Sequence, residues 1–333
     1  MLKIICMHVL ALFTALLFYG CGGEPKTEIT AKDGTELIPI TVQLDWVAEP
    51  EHGGLYQAQA LGYFEDQGLK VTLRQGGPNV AVLETVATGQ AQIGQSSSTQ
   101  VIRAASKNIP VTNIAAVFHE IPTALFVHES NPIKDFAGLN DLTVMARPEA
   151  LWIPFLKKRY NIEFDVIAQQ FNIGLFVNDP DFIQAGFFIA EPYYMEKAGA
   201  KVRVMPLSEG GWHAYASMFA NTDFLKEQPE AARGFLRAYV LGWKDYLEGD
   251  PTPAHELIKK ERPDGVSDAF LDYSRSMILK YQLVRGKDGE GIGTMSPERI
   301  QEEIATLVNL KVLDQNQVTV DDVLELSYFP KGN

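Results

Sequence analysis

Cysteine is scarce in this chain of 333 residues, since only Cys6 and Cys21 are present. A framework of disulfides or a site of several thiolates is therefore excluded. Basic runs are also absent, and the net charge is −13. Nucleic-acid binding needs clustered cations to neutralise phosphates, so we expect no nucleic-acid partner.

Metal and nucleotide motifs are missing as well. The five histidines beyond the N-terminal segment show no ligand spacing such as His-x-x-x-His; they are His52, His119, His128, His213 and His255. No phosphate-binding loop and no Gly-x-Ser-x-Gly elbow occurs. The sequence therefore predicts neither a metal site nor a cofactor.

Long apolar runs are confined to the N-terminus. Lys3 precedes an apolar stretch that ends at Gly20, directly before Cys21. This layout predicts a signal peptide at residues 1–20, lipidation of Cys21 and a polar tether at residues 21–36. A signal peptide without lipidation and an uncleaved anchor helix remain alternatives. We expect a membrane-anchored lipoprotein of the cell envelope that faces the periplasm or the cell exterior.

Strand and helix patterns alternate from residue 38 onward. Residues 38–44 predict a strand, residues 53–61 a helix and residues 70–73 a second strand, and the alternation continues to a strand at 111–118. It restarts with a strand at 142–146 and a helix at 150–160, and the chain is helical beyond residue 222. The pattern predicts an α/β protein with two lobes, in which residues 37–127 and 217–333 form lobe I and residues 128–216 form lobe II.

Such parallel sheets bind ligands outside the carboxyl ends of their strands. Two facing edges would enclose a cleft, and a hinge between the lobes would bury the ligand.

Several segments resemble one family. They are Leu-Asp-Trp at 44–46, His-Gly-Gly-Leu-Tyr-Gln-Ala at 52–58, Gly-Tyr-Phe-Glu-Asp-Gln-Gly-Leu-Lys-Val at 62–71, Gly-Gly-Pro-Asn at 76–79, the stretch 86–94 and Glu-Pro-Tyr-Tyr at 191–194. They resemble the periplasmic substrate-binding proteins of ABC transporters for thiamine-pyrimidine precursors and alkanesulfonates. The resemblance covers most of the chain beyond the tether. It implies a bilobal, type II-like periplasmic binding protein with crossover strands and a helical C-terminal return.

The eukaryotic thiamine pyrimidine synthase is similar to this family in fold. In that enzyme a lysine holds pyridoxal phosphate and a histidine donates atoms. Residues 95–100, Gln-Ser-Ser-Ser-Thr-Gln, contain neither residue type, and the enzyme's cysteine-rich motif is missing. We therefore expect that the chain is not an enzyme.

Candidate ligand-binding residues follow the first predicted strand and begin the first helix. Asp45 and Trp46 lie at the strand end, where an indole face can stack on a heteroaromatic ring. His52 precedes the helix and could bind a ligand or cap the helix. Tyr56 lies one turn further on and could belong to the site or to the core.

Two further groups follow later strands of lobe I. Ser96 and Ser97 belong to a predicted polar loop that enters a helix, where hydroxyl and N–H groups converge on a ligand or only cap the helix. His119 and Glu120 follow the strand at 111–118 and could bind a ligand or line the hinge.

Lobe II contributes four candidates. Trp152 could close over the ligand opposite Trp46, or pack against its neighbours. Glu191 could read the edge of an aminopyrimidine, or place a negative charge at a helix start. Tyr193 follows on that helix, and Trp212 lies near the return crossover.

The sequence thus predicts a monomeric, lipid-anchored binding protein that delivers a small heteroaromatic ligand to an ABC permease. A thiamine-pyrimidine precursor is the ligand that the resemblance implies. The alternatives are a riboflavin- or sulfonate-binding protein, a ligand sensor and a synthase-like enzyme.

Overall fold

The computed structural model describes residues 36–262, 264–287 and 289–330. The predicted signal peptide, Cys21 and residues 22–35 of the tether lie outside the described residues. Among the described helices, none combines the length and the apolar character needed to cross a membrane.

Two five-stranded sheets form the framework of the described chain. The first has the order β2-β1-β3-β10-β4, with β1 (Ile38–Gln43), β2 (Leu69–Arg74), β3 (Ile93–Ser97), β4 (Val111–Phe118) and β10 (Ala216–Asn221). The second has the order β7-β6-β8-β5-β9, with β5 (Thr123–His128), β6 (Thr143–Ala146), β7 (Asp165–Ala168), β8 (Ile183–Phe187) and β9 (Val202–Pro206). The predicted two-part α/β fold is confirmed.

Each sheet is parallel except for one inserted strand. In the first sheet β1 pairs in parallel with β2 and β3, whereas β10 runs antiparallel between β3 and β4. In the second sheet β6 pairs in parallel with β7 and β8, whereas β5 is antiparallel to β8 and β9. On the far side of β4, a single bridge joins Asn113 to Leu324.

The chain passes between the sheets twice. It crosses at residues 119–122, between β4 and β5, and returns at residues 207–215, between β9 and β10. Strand β5 therefore lies in the second sheet, whereas the predicted lobe I continues to residue 127. The predicted lobe limits stay a prediction, and sheet membership favours a boundary at the first crossover.

Helices cover the sheets and make up most of the C-terminal third. They are α1 (Gly53–Ala60), α2 (Val82–Ala87), α3 (Ser98–Ala105), α4 (Trp152–Tyr160), α5 (Gly174–Asn178), α6 (Glu191–Lys197), α7 (Thr222–Glu227), α8 (Pro229–Glu248), α9 (Thr252–Glu261), α10 (Asp268–Lys280), α11 (Pro297–Asn309) and α12 (Val320–Val323). Short 3-10 turns occupy Pro50–His52, Glu65–Gln67 and Phe136–Leu139.

Helix α8 returns to pack on α1, beside the first sheet. Its apolar face is buried, with Leu236, Tyr239 and Trp243 almost fully excluded from solvent. Glycines make the close approach possible. A Cβ atom on Gly54 would overlap the Trp243 ring, and one on Gly242 would overlap the Gly54 carbonyl oxygen. This contact accounts for the two glycines at the start of α1 and for the predicted helical return.

The predicted polar loop at residues 95–98 is instead mostly strand. Strand β3 continues through Ser97, because Ser96 pairs with Ser217 and Ser97 with Ala216 of β10. The sequence patterns predict none of the strands β5, β7 and β10. The sequence predicts a loop at residues 95–98 because β10, the strand that pairs with this segment, lies about 120 residues later in the chain.

Candidate functional site

A cavity of about 420 Å³ lies where the carboxyl ends of parallel strands from both sheets face each other. Asp45 and Trp46 follow β1, and Ser96 and Ser97 end β3. From the second sheet, side chains after β6, β7 and β8 complete the wall. The cavity, called the cleft below, is therefore where this strand arrangement places a ligand.

Aromatic rings from both sheets meet across the cleft. The ring centroids of Trp46 and Phe171 are 5.2 Å apart, within the range of attractive aromatic pairs. The Arg147 guanidinium carbon lies 5.9 Å from the Trp46 ring centroid and 5.4 Å from that of Phe171. Phe171 has a φ of 54°, a backbone conformation that a bulky side chain rarely adopts.

The partner of Trp46 therefore differs from the expected one. The sequence offers two interpretations of Trp152, a position opposite Trp46 or packing against its neighbours, and in the structure the ring beside Trp46 is that of Phe171. Trp152 begins α4 and is buried, and Trp212 packs edge-on against Phe155 with centroids 5.3 Å apart. Both tryptophans line the cleft, so their contact with a ligand stays a prediction.

Carboxylates dominate the polar lining. Asp45, Glu49, Glu51 and Glu191 all line the cleft, whereas its cations are Arg103 and Arg147 among the described lining residues. The Glu49 carboxylate is paired with the Arg262 guanidinium at 2.9 Å. Burial raises the pKa of Glu51 well above its usual range, and the nearby charges of Asp45 and Glu49 raise it further. Carboxyl groups therefore outnumber guanidinium groups in the described cleft lining.

Glu191 begins α6 and turns back toward the end of β8. Its Oε2 atom accepts a hydrogen bond from the Phe187 N–H at 2.8 Å. A Cβ atom on Gly186 would lie 2.6 Å from Glu191 Oε1, so a larger residue there would displace the carboxyl group. Burial raises the pKa of Glu191 to about 7, despite the Phe187 hydrogen bond. Near neutral pH this carboxyl group is therefore partly protonated and can donate as well as accept a hydrogen bond.

The two predicted serines differ in role. Ser97 Oγ accepts a weak hydrogen bond from the Gln100 N–H at 3.4 Å and so caps α3. Ser96 stands one residue earlier, and both side chains line the cleft. The structure brings them together with Asp45 and Trp46, and their contact with a ligand stays a prediction.

His52 and Tyr56 lie behind the cleft wall. The His52 ring is fully buried, with Nε2 3.2 Å from Asp45 Oδ1 and 3.6 Å from Glu51 Oε1. Tyr56 is buried on α1, and its hydroxyl has no hydrogen-bond partner among the described residues. Neither residue belongs to the described cleft lining.

His119 and Glu120 lie at the first crossover and line a separate cavity of about 260 Å³. His119 Nε2 donates to the Gly291 carbonyl oxygen at 2.8 Å, and burial lowers the pKa of His119. Glu120 Oε1 lies 3.0 Å from His213 Nδ1, and this hydrogen bond raises the pKa of His213. The Glu120–His213 hydrogen bond joins the first crossover to the second, and both interpretations of His119 and Glu120 stay predictions.

Tyr193 also lies outside the described cleft lining. Its ring packs against Phe270 with centroids 5.5 Å apart, and its hydroxyl lies 3.2 Å from Ser267 Oγ. Tyr193 thus joins α6 to α10 of the helical return.

Sequence reasoning did not select Phe171, Glu51 or Arg147 as site residues. Arg147 directly follows the strand predicted at 142–146, so its position at a strand end indicated a possible site residue. Phe171 follows β7, which was not predicted, and Glu51 lies in a 3-10 turn with no strand of its own.

Solved structures share the fold. The alkanesulfonate-binding protein SsuA from Xanthomonas axonopodis pv. citri, bound to MOPS, superposes with a TM-score of 0.65 at 11% identity, covering 88% of this chain and 100% of its own. The periplasmic aliphatic sulphonate binding protein SsuA from Escherichia coli has a TM-score of 0.60 at 13% identity, with coverage of 89% and 94%. The predicted periplasmic-binding-protein fold is confirmed.

Curated relatives have an enzymatic name. The 4-amino-5-hydroxymethyl-2-methylpyrimidine phosphate synthase of Aspergillus parasiticus is 27% identical over 243 residues, which cover 67% of this chain and 71% of the relative. The protein of the same name from Legionella pneumophila is 24% identical, with coverage of 67% and 74%.

These names contradict the expectation that the chain is not an enzyme. That expectation was wrong because it rested on the residue types missing from one short segment and on a missing cysteine motif. Such absences remove one way of holding a cofactor and do not exclude other chemistry in the same cleft.

The match to the family covers more than half of the chain. The family model described as NMT1/THI5 like covers residues 49–254, a range that begins beside the cleft carboxylates and ends in the helical return. The segments that suggested the resemblance, the bilobal fold and the curated relatives agree with this match, and the chain belongs to the NMT1/THI5-like family.

Proposed function

We propose that the cleft binds a small, unphosphorylated aminopyrimidine of the thiamine-precursor type. In this proposal the chain is an exported, lipid-anchored receptor that delivers the ligand to an ABC permease. Family membership and the pyrimidine in the relatives' name support the ligand class. The binding-protein neighbours and the N-terminal sequence support the receptor role outside the cytoplasm.

One observation carries the ligand assignment. Trp46, which is half-buried, and Glu191 line the same cleft, so a ring stacked on the indole can present its edge to the carboxyl group. A carboxyl group that is neutral can donate to a ring nitrogen and accept from an exocyclic amine, as an aminopyrimidine edge requires. The volume of about 420 Å³ falls in the usual range for small-molecule sites.

The charge of the lining argues against anionic ligands. Six carboxyl groups line the cleft beside two guanidinium groups, so a sulfonate or a phosphate would meet more negative than positive side chains in a site of low dielectric. Pyridoxal phosphate does not fit this lining for the same reason. The described lining residues also include no lysine amino group that could hold it.

A second candidate function is formation of the pyrimidine itself, which the names of the curated relatives favour. The product would occupy the same cleft. Incubating the full-length chain with pyridoxal phosphate and searching by mass spectrometry for a new pyrimidine tests this candidate. A new pyrimidine that requires the protein would establish it, and a ligand-binding chain without such a product would favour the receptor.

Thermal-shift and calorimetric titration of the full-length chain test the ligand. The panel contains the hydroxymethyl pyrimidine, thiamine, riboflavin, taurine and pyridoxal phosphate. We expect stabilisation by the pyrimidine, about 2.7 kcal/mol at a hundredfold excess over the Kd. Trp46→Ala should remove the shift, whereas Trp46→Phe should keep part of it. A shift with taurine or riboflavin alone would contradict the ligand and leave the fold untouched.

The pH dependence of binding tests the role of Glu191. Its pKa of about 7 means that the neutral form is lost as the pH rises. We expect pyrimidine affinity to fall between pH 7 and 9, at most tenfold per pH unit. Glu191→Gln keeps a donor and an acceptor, so its affinity should stay nearly constant over this range. Parallel pH profiles for the two proteins would rule out proton donation by Glu191.

A further inference from the structure

Three potential metal ligands converge at the floor of the cleft. The Nε2 atom of His52 lies 3.2 Å from Asp45 Oδ1 and 3.6 Å from Glu51 Oε1. One donor atom from each of the three residues lies within 4.8 Å of the other two. The residues come from the segment after β1 and from the turn before α1, so the backbone on both sides is held by regular structure.

The cluster contains buried polar atoms without partners. Glu51 Oε1 has no hydrogen-bond partner in the described structure, and the side chain is only 4% exposed. That atom points at His52, whose ring is fully buried. A buried carboxylate oxygen without a partner is costly, and a bound cation would satisfy it.

The separations match those of a metal centre. Zinc–nitrogen and zinc–oxygen bonds are roughly 2.0–2.2 Å, so two ligands of one tetrahedral ion lie roughly 3.4 Å apart. The two separations from His52 Nε2, 3.2 Å to Asp45 Oδ1 and 3.6 Å to Glu51 Oε1, lie on either side of this value. Asp45 and Glu51 also line the cleft, so an ion held here would be open to the cavity.

We propose that Asp45, Glu51 and His52 form a binding site for one divalent transition-metal ion, with Zn²⁺ as the probe of choice. An imidazole nitrogen with two carboxylates suits zinc, iron or manganese better than the all-oxygen preferences of magnesium and calcium. Three protein ligands leave a coordination position open to the cleft, where a nitrogen or oxygen of a small molecule could bind.

The sequence does not predict this site, because the three residues show no recurrent ligand spacing. Asp45 and His52 are seven positions apart, and no helix places them on one face. The turn at Pro50–His52 brings Glu51 and His52 back toward the end of β1. The earlier expectation of no metal site rested on spacing alone.

Titration with metal alone tests the site. The full-length chain is stripped with a chelator and titrated with Zn²⁺ by calorimetry and with Co²⁺ by visible absorption. We expect one ion per chain, with affinity lowered at least tenfold by Glu51→Gln and by Asp45→Asn. His52→Gln should abolish binding. Glu84→Gln changes another carboxylate that lines the cleft, so it should leave the affinity unchanged.

Thermal melts of each variant without metal show whether it is folded. Asp45 is 31% exposed, so Asp45→Asn should fold even if a change at Glu51 disturbs the turn. The absence of saturable binding to the unsubstituted chain would overturn the proposal. Equal affinity of the unsubstituted chain, Glu51→Gln and Asp45→Asn would overturn it as well. Because the titration contains no pyrimidine, its result tests the metal site independently of the proposed ligand.

Discussion

At the scale of single residues, buried carboxyl groups are the main departure from an ordinary α/β protein. Glu303 on α11 is one that lies away from the cleft. Its Oε2 accepts a hydrogen bond from Ser98 Oγ at 2.5 Å, and Ser98 Oγ accepts one from the Tyr215 N–H at 3.0 Å. Burial raises the pKa of Glu303 to about 8. The residue thus links α11, α3 and the return crossover in its neutral form.

Glu303 should make stability depend on pH. Its pKa is about 8 in the folded chain and 4.5 when exposed, so the folded state holds a proton that the unfolded state loses. The contribution is full below pH 4.5 and is lost as the pH rises toward 8, by up to about 1.4 kcal/mol per pH unit. Glu303→Gln should flatten this decline in urea unfolding, and equal pH slopes would contradict it.

Some site residues could be predicted from the sequence because they follow a recognisable strand. Asp45 and Trp46 come directly after the alternating pattern of β1, and Glu191 follows the apolar run of β8. Phe171 and Glu303 could not be predicted. Phe171 follows an edge strand of only four residues, and the burial of Glu303 depends on a contact with Ser98, 205 positions away.

At the scale of secondary-structure elements, the close contact between α1 and α8 fixes the position of α1, the helix that directly follows Glu51 and His52. Helix α1 begins directly after His52, so any shift of α1 against α8 would move the cluster at the floor of the cleft. The apolar face of α8 was predictable from its helical spacing. The partner of that face was not, because periodicity shows which side is buried and not what covers it.

Enlarging a glycine in this contact should destabilise the chain. An added Cβ on Gly54 would overlap the Trp243 ring inside a buried interface. We expect Gly54→Ala to lower the free energy of unfolding by about 1–3 kcal/mol in urea titrations.

Gly234→Ala is the matched control for this prediction. Gly234 lies on the same helix α8, and its Cβ would lie 3.2 Å from Gln67 Cβ, a much milder contact. The gain of about 1 kcal/mol in helix propensity should offset the crowding, so we expect a change within 1 kcal/mol. Equal losses for the two variants would contradict the importance of the α1–α8 contact.

Two of the three strands that sequence patterns missed, β5 and β10, share a physical cause. Strand β10 is buried at every position and β5 at most positions, so neither shows the alternation that marks a half-buried strand. Both run antiparallel inside otherwise parallel sheets, a placement that depends on the hinge and not on local sequence. Strand β4 is also buried at every position, but it has eight residues and contains the continuous apolar run 114–118, which made it recognisable.

At the scale of the whole molecule, the Trp46–Phe171 contact joins the two sheets across the cleft. Aromatic pairs contribute roughly 0.5–1.5 kcal/mol beyond area burial, enough to shift an equilibrium between open and closed forms about two- to tenfold. The positive φ of Phe171 indicates that the surrounding chain holds the ring in this place at some cost.

Removing the Phe171 ring should favour the open form. We expect Phe171→Ala to increase the radius of gyration in X-ray scattering without ligand and to change the fluorescence of Trp46. Leu175→Ala alters an exposed side chain on the nearby α5 and should change neither signal. An unchanged radius for Phe171→Ala would mean that the ring pair does not hold the lobes together.

The position of β4 also determines when the chain can fold during its synthesis. Its strand neighbour, β10, is at residues 216–221, and the bridge on its other edge comes from Leu324. A ribosome therefore releases the apolar β4 long before either backbone partner exists. The N-terminal half cannot complete its sheet alone, so the first sheet can form in full only after residue 221 has emerged. If the chain is exported as proposed, this delay would favour threading of the unfolded polypeptide through a translocation pore.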